Sequence, residues 1–84
     1  MSLQADFDKA QADVKKLTDD PGNAAKLKLY ALYKQATAGD NTDKKPGFGD
    51  MVGRAKWDAW AGVKGMSHDE AMQAYVDYVA ELQG

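Results

Sequence analysis

The spacing of the apolar residues limits most strongly what this chain can fold into. Along nearly the whole sequence they recur every three or four positions, which places them on one face of an α-helix. Three breaks containing Gly, Pro or Asp interrupt the pattern, and no segment alternates apolar and polar residues convincingly as a strand does. The sequence therefore predicts an all-α fold of four helices packed as a bundle.

The predicted helices cover residues 3–17, 23–38, 51–63 and 68–82 approximately. Asp20 and Asn23 are both possible N-caps of the second helix, because their side chains can accept a hydrogen bond from a free backbone N–H. The fourth helix has the clearest start: Ser67 is followed three residues later by Glu70, which predicts a capping box.

Length and composition exclude several classes of protein. With 84 residues the chain is one small domain with a thin core, and a second catalytic domain does not fit. The absence of cysteine excludes disulfides, thiolate metal sites and a Cys nucleophile, and a reducing, cytoplasmic setting is the simplest expectation. We find no signal peptide and no apolar run that could span a membrane, so we expect no stable membrane insertion.

The net charge of −2 conceals an uneven distribution. Residues 1–21 carry −2, residues 22–65 carry +4 and residues 66–84 carry −4. The overall acidity argues against a nucleic-acid partner, which normally meets a clear basic excess. The basic centre is either ordinary surface solvation or a binding face for an anionic ligand.

Cationic and aromatic residues are interleaved on the second and third helices. Tyr30 and Lys34 are four residues apart and share a face, as do Lys56 and Trp60. This combination suits a ligand that carries a phosphate and a flat ring, since ammonium groups bind phosphate and aromatic rings stack on a nucleobase. The alternative is that aromatic residues such as Tyr33, Trp57 and Trp60 are simply core.

Residues suited to catalysis are missing. The single histidine, His68, lies at the start of the fourth helix, where we expect it to be exposed, and it has no Cys or second His as a partner. We find no nucleophile–base pair, no metal-ligand cluster and no phosphate-binding glycine motif. We therefore expect a binding protein without catalytic residues, metal or cofactor.

Several blocks of the sequence resemble the acyl-CoA-binding protein family. They are Phe-Asp-Lys-Ala at 7–10, Tyr-Lys-Gln-Ala-Thr at 33–37, Pro-Gly at 46–47, Arg-Ala-Lys-Trp-Asp-Ala-Trp at 54–60 and Ala-Tyr-Val at 74–76. The resemblance covers almost the whole chain and implies one acyl-CoA-binding domain over residues 1–84, with up-down-down-up topology. It further implies a cytosolic carrier of medium- to long-chain fatty acyl-CoA esters that delivers them to enzymes.

The resemblance also implies roles for individual residues. Those expected at the CoA head group are Tyr30, Tyr33, Lys34, Lys56, Tyr75 and Lys15. Tyr33 is expected to pack on the adenine, whereas Tyr30, Lys34 and Lys56 are expected to hold the phosphorylated ribose. Those expected at the acyl groove are Leu27, Trp57 and Phe7.

Because the helix faces are expected to use up the apolar residues in the core, no large exposed apolar stripe should remain, and we expect a monomer.

The competing hypothesis for the function is a helical adaptor domain whose aromatic residues are core and whose basic centre docks an acidic protein. An acyl-CoA hydrolase is disfavoured because the chain offers no nucleophile–base pair.

Overall fold

The computed structural model describes residues 2–84 and contains four α-helices and no strand within that range. The helices are α1 (Leu3–Val14), α2 (Asn23–Thr37), α3 (Met51–Ala61) and α4 (His68–Gln83). The prediction of an all-α fold is confirmed. α1 and α3 end two or three residues earlier than the apolar spacing predicts. After each of these two helices the chain continues in a tighter turn. Leu17 N–H donates to the Val14 carbonyl after α1, and Val63 N–H donates to the Trp60 carbonyl after α3.

The N-cap of α2 is neither of the two residues that the sequence predicts. The N-cap residue is Gly22, whose φ of 91° lies in the region that only glycine adopts without strain. Asp20 acts one step earlier: its carboxylate accepts from Gly22 N–H at 2.8 Å and from Lys26 Nζ at 2.9 Å. Asn23 is the first residue inside the helix. The prediction of Asp20 or Asn23 as N-cap is therefore wrong, because Asp20 holds the turn before the helix instead.

Side-chain caps begin α3 and α4. Asp50 accepts from Gly53 N–H at 2.9 Å, and a Cβ at position 53 would require the Asp50 carboxylate to shift from its present place. The predicted capping box of α4 is confirmed: Glu70 N–H donates to Ser67 Oγ at 3.0 Å, and Ser67 N–H donates to Glu70 Oε1 at 2.9 Å.

The helices pack in an order that differs from their order in the chain. α1 contacts α4, α4 contacts α2, and α2 contacts α3. The Cα atoms span 40 × 29 × 15 Å, so the molecule is flat, with α1 and α3 at opposite edges. The core lies between α1, α2 and α4 and consists of Phe7, Ala10, Leu29, Leu32, Ala36, Ala71, Met72, Tyr75 and Val79.

A buried glutamine ties the end of α2 to the turn before α4. Gln35 is fully buried, and its Nε2 donates to Asp40 Oδ1 and to the Met66 carbonyl, both at 2.8 Å. The same Asp40 oxygen accepts from Gly65 N–H at 2.9 Å. That backbone donor, followed by the Gln35 amide, lowers the pKa of Asp40. The network therefore holds together the two ends of residues 40–65, the segment that contains α3.

The apolar residues are not all used in the core. Phe48, Met51 and Val52 are 89%, 79% and 67% exposed. The prediction that no large exposed apolar surface remains is wrong at this point. The physical reason is that α3 packs on α2 alone, so the outer side of its first turn has no neighbour.

Residues 2–84 contain neither a membrane-spanning helix nor a metal-binding cluster. None of the helices there combines the length and apolar character needed to cross a bilayer. Nor does that part of the chain bring together three or more side chains able to hold a metal ion.

Candidate functional site

A cleft lies between α2, α3 and the loop that joins them, residues 38–50, which we call the long loop. Its lining contains several of the residues that the sequence singles out. It has a volume of about 220 Å³. We call it the cationic cleft. It is lined by Tyr30, Asp43, Lys44, Pro46, Gly53, Lys56, Trp57 and Trp60.

Cations and rings in this region pair across the two helices. Lys34 Nζ of α2 lies 4.9 Å from the centre of the Trp60 ring of α3, and Lys56 Nζ of α3 lies 5.4 Å from the centre of the Tyr30 ring of α2. Each contact is a cation–π interaction that contributes about 0.5–1 kcal/mol at an exposed position. The sequence places Tyr30 with Lys34 and Lys56 with Trp60 on shared helix faces, whereas the structure pairs the four residues crosswise.

The two tryptophans hold the long loop in place. Trp60 is buried and its indole N–H donates to the Gly39 carbonyl at 2.8 Å, while the Trp57 indole N–H donates to the Asp43 carbonyl at 2.7 Å. Asn41 Nδ2 in turn donates to the Trp57 carbonyl at 3.2 Å. Trp60 is therefore a buried residue that also lines the cleft. Trp57, expected beside the acyl groove, lines the cationic cleft.

Two loop lysines belong to this region although sequence reasoning did not select them. Lys44 lines the cationic cleft, and Lys45 Nζ lies 5.3 Å from the centre of the Trp57 ring and 3.1 Å from Asp58 Oδ1. Their only signal in the sequence is that two adjacent lysines precede Pro46 in the long loop. Because these lysines lie in a loop, helical spacing does not predict which residues they contact, and only the fold shows that they lie at the cationic cleft and at Trp57.

Three aromatic rings in contact form a second aromatic group at the junction of α1, α2 and α4. The Phe7 and Tyr33 rings lie 6.1 Å apart at 27°, and the Phe7 and Tyr75 rings lie 5.1 Å apart, edge to face. Tyr33 is 40% exposed, whereas Phe7 and Tyr75 are buried. Burial and the neighbouring Tyr33 phenol raise the pKa of Tyr75, so its hydroxyl stays protonated and able to donate.

A separate, mostly apolar cleft opens between the start of α2 and α3. It has a volume of about 320 Å³ and is lined by Asn23, Leu27, Met51, Val52, Ala55 and Lys56. We call it the apolar cleft. Leu27 lies where an apolar groove is expected, and Lys56 lines both clefts, so the two clefts adjoin at that residue.

Five predicted site residues line neither cleft: Phe7, Lys15, Tyr33, Lys34 and Tyr75. Phe7 is 2% exposed and belongs to the core, where it supports the Tyr33 ring and has almost no surface to offer a ligand. Lys15 is the exposed C-cap residue of α1. α1 contacts α4 but not α3, so Lys15 lies on a helix at the opposite edge of the molecule from α3.

Comparison with known proteins identifies the family. Residues 4–79 match the sequence model of the family described as "Acyl CoA binding protein". Over 76 residues the chain is 55% identical to Acyl-CoA-binding protein homolog 1 of Caenorhabditis elegans, covering 90% of this chain and 88% of that protein. The crystal structure of Oryza sativa Acyl-CoA-Binding Protein 2 superposes with a TM-score of 0.93 at 44% identity, covering 98% of this chain and 91% of that one.

A four-helix fold with a cationic cleft beside an apolar cleft defines a small binding protein. The chain belongs to the acyl-CoA-binding protein family. A related segment also occurs within a larger protein, because the chain is 53% identical over 81 residues to Enoyl-CoA delta isomerase 2 of Rattus norvegicus. That match covers 96% of this chain but only 21% of the isomerase.

Proposed function

We propose that this chain binds medium- to long-chain fatty acyl-CoA esters non-covalently and acts as an intracellular acyl-CoA carrier. The observation that carries the proposal is the junction of two chemically different clefts at Lys56, one cationic and aromatic, the other apolar. An acyl-CoA ester has the same two halves, an anionic nucleotide head group and an alkyl tail. Membership of the family supports the same function.

The head group is assigned to the cationic side of the site. Lys34 and Lys56 supply charge-assisted hydrogen bonds to phosphate, each contributing about 1.5–3 kcal/mol. Tyr30 flanks the same ligand, and the partly exposed ring of Tyr33 offers a face for the adenine. Binding requires the Lys34 and Lys56 ammonium groups to exchange ring contacts for phosphate contacts, which the modest strength of the cation–π pairs allows.

Tyr75 and Lys15 have supporting roles in this proposal. The hydroxyl of Tyr75, which stays protonated, is assigned a hydrogen bond to the head group beside Tyr33. Lys15, the C-cap residue of α1, is assigned an attraction to the phosphates that acts from the edge opposite α3. Phe7 keeps the Tyr33 ring in position and is assigned no direct contact with the ligand.

The acyl tail is assigned to the apolar cleft, with Leu27 as its central contact. Each buried methylene contributes about 0.8 kcal/mol, so the affinity is expected to rise with tail length among ligands that carry the same CoA head group. Trp57 lines the cleft that holds the head group and reports on its occupancy through its fluorescence.

The proposal includes the remaining properties expected from the sequence. Residues 1–84 act as a single domain, without catalytic activity and without metal or cofactor. The protein works as a cytoplasmic monomer that exchanges its ligand with acyl-CoA-using enzymes and binds neither nucleic acid nor, stably, the membrane interior.

Calorimetry with three ligands tests the proposal. Palmitoyl-CoA should bind at micromolar concentration or below, coenzyme A more weakly because it lacks the tail, and palmitate weakest because it lacks the head group. Equal heats for palmitoyl-CoA and palmitate would contradict an acyl-CoA site.

Thermal melting separates the carrier from the adaptor hypothesis. A ligand that binds only the native state raises the melting temperature, so palmitoyl-CoA should raise it and palmitate should not. The adaptor hypothesis predicts no shift with either. It is disfavoured because the family match and the pair of adjoining clefts both point to a small ligand.

A further inference from the structure

The lysines in and beside the cationic cleft differ in their contacts. The ammonium groups of Lys34 and Lys56 each lie over an aromatic ring of the neighbouring helix. Lys44 lines the cleft as well, but it takes part in none of the cation–π contacts within residues 2–84. Lys44 therefore gives up no ring contact when it meets a ligand.

Lys44 also differs from its neighbour in the long loop. Lys45 Nζ lies 3.1 Å from Asp58 Oδ1 and 5.3 Å from the centre of the Trp57 ring. The ion pairs formed within the described part of the chain do not involve Lys44. Because a paired ammonium must exchange one partner for another, whereas an exposed, unpaired one does not, Lys44 is the loop lysine better suited to bind an anion.

The backbone on either side of Lys44 is held in place beside the cleft. The Asp43 carbonyl, in the peptide bond that joins Asp43 to Lys44, accepts from the Trp57 indole N–H at 2.7 Å. Two residues after Lys44, the Pro46 carbonyl accepts from Arg54 Nη1 at 3.2 Å. The main chain is thus already positioned, and binding has to order only the lysine side chain, which lowers the entropy cost of the contact.

Lys44 decides the sign of the charge that lines the cleft. The charged residues of the lining are Asp43, Lys44 and Lys56. Without Lys44, the Asp43 carboxylate would balance the Lys56 ammonium, and the lining would carry no net charge. With Lys44 the lining is positive, which an anionic ligand requires.

We propose that Lys44 binds the phosphate on the ribose of the CoA head group and makes the cationic cleft selective for ligands that carry this phosphate. The assignment rests on the proposed function, in which Tyr30, Lys34 and Lys56 hold the phosphorylated ribose. Tyr30 and Lys56 line the cleft together with Lys44. A phosphate monoester carries about −1.5 to −2 charges at pH 7, so it gains more from a further cation than any other group of the ligand.

Calorimetry with two ligands that differ only in this phosphate tests the assignment. They are palmitoyl-CoA and palmitoyl-dephospho-CoA, which lacks the phosphate on the ribose. Lys44→Gln should weaken the binding of palmitoyl-CoA about tenfold, the effect of losing one charge-assisted hydrogen bond at an exposed position. The same variant should bind palmitoyl-dephospho-CoA as the wild type does. Equal losses with the two ligands, or no loss with either, would overturn the proposal.

The adjacent lysine provides the matched control. Lys45→Gln changes the net charge by the same amount one residue further along the loop, but its ammonium is already paired with Asp58. It should weaken the two ligands nearly equally, and by less than Lys44→Gln weakens palmitoyl-CoA. Lys44→Arg keeps a cation at the cleft and should retain most of the preference for palmitoyl-CoA. A preference lost equally in Lys44→Gln and Lys45→Gln would mean that the charge of the loop, rather than a contact of Lys44, selects the ligand, which would overturn the proposal.

Thermal melting without ligand separates binding from a structural role. Since the exposed Lys44 side chain has no ion pair to lose, Lys44→Gln should melt at the temperature of the wild type. A lower melting temperature combined with equal losses for the two ligands would make Lys44 a structural residue and would overturn the proposal.

The same measurements separate this proposal from the proposed function. If the wild type and Lys44→Gln bind palmitoyl-CoA equally well, the role of Lys44 is contradicted and the carrier function stands. If the wild type does not bind palmitoyl-CoA, the carrier function is contradicted and the role of Lys44 with it.

Discussion

Lys28 and Lys34 lie on the same helix and each contacts an aromatic ring, yet they face different surroundings. Lys28 Nζ lies 4.2 Å from the centre of the Tyr78 ring on the α4 side, whereas Lys34 Nζ lies 4.9 Å from the centre of the Trp60 ring on the α3 side. The two residues therefore form a matched pair, alike in chemistry and helix but different in their distance from the proposed phosphate site.

Replacing Lys34 should weaken binding selectively. We expect Lys34→Ala to reduce the affinity for palmitoyl-CoA by about 1.5–3 kcal/mol, the contribution of one charge-assisted hydrogen bond. Lys28→Ala should change the affinity little, and calorimetry on both variants measures the difference. Equal losses from the two variants would mean that net charge, rather than a defined contact, controls binding.

Gln35 is the residue on which the junction between α2 and α4 depends. Its amide supplies two hydrogen bonds from a fully buried position, although its Oε1 has no partner among the described residues. We expect Gln35→Ala to lower the free energy of unfolding by about 2–3 kcal/mol, because the Met66 carbonyl loses its donor and a cavity remains. Urea unfolding measures this loss.

An exposed glutamine provides the control for that prediction. Gln73 of α4 donates to Asp77 at the surface, at 2.9 Å. Gln73→Ala should stay within about 0.5 kcal/mol of the wild type, as surface substitutions usually do. A loss for Gln73→Ala as large as that for Gln35→Ala would show that burial of the amide is not what matters.

At the scale of elements, the start of α4 depends on a reciprocal pair of side-chain bonds. Ser67→Ala removes the oxygen that caps Glu70 N–H, and we expect it to lower the free energy of unfolding by about 1 kcal/mol. Ser67→Asn still offers an acceptor at this position and should retain most of the stability. Thermal and urea unfolding of the two variants test the cap, and identical losses would contradict it.

Local chemistry explains which elements the sequence could predict. The box of Ser67 and Glu70 was predictable because both partners are read from one short stretch. The cap of α3 by Asp50 was missed, although an Asp three residues before Gly53 is a readable signal. The start of α2 was misjudged because Asp20 accepts from Gly22 N–H and from Lys26 in the preceding turn, and Gly22, with its positive φ, occupies the N-cap position.

The contacts of the candidate site were predictable only in part. Sequence spacing identified Lys34, Lys56, Tyr30 and Trp60, since each lies on a helix face with a mixed cationic and aromatic character. It could not identify which cation meets which ring, because that depends on how α2 packs against α3 rather than on spacing within either helix. The exposure of Phe48 could not be predicted from spacing either, because it depends on which elements pack beside the long loop and α3.

At the scale of the whole molecule, three carboxylates link stability to pH. Backbone N–H donors lower the pKa values of Asp20, Asp40 and Glu70 in the folded protein. A lowered pKa adds stability above the value of the unfolded chain, near 4, and that stability is lost as the pH falls through the folded value. We therefore expect the melting temperature to fall steeply below about pH 4.

A single substitution tests the contribution of Asp40. Asp40→Asn removes one titrating group, so the melting temperature of this variant should fall less between mildly acidic and strongly acidic solution than that of the wild type. Asp19→Asn, at an exposed turn position, removes an equal charge and is the control. Parallel curves for the wild type and Asp40→Asn would show that Asp40 is not linked to folding.

The packing order of the helices has a consequence for synthesis on the ribosome. Among the described elements, α4 is the one that covers both α1 and α2, and it is translated after the other three. Until α4 leaves the exit tunnel it cannot cover Phe7 of α1 and Leu32 of α2, so the surfaces of these side chains that α4 buries in the folded protein stay in contact with water.

We therefore expect nascent chains to stay sensitive to protease until α4 has emerged from the ribosome and then to become resistant in one step. Pulse proteolysis of ribosome-stalled chains of increasing length measures this change. Early resistance of chains that lack α4 would contradict it.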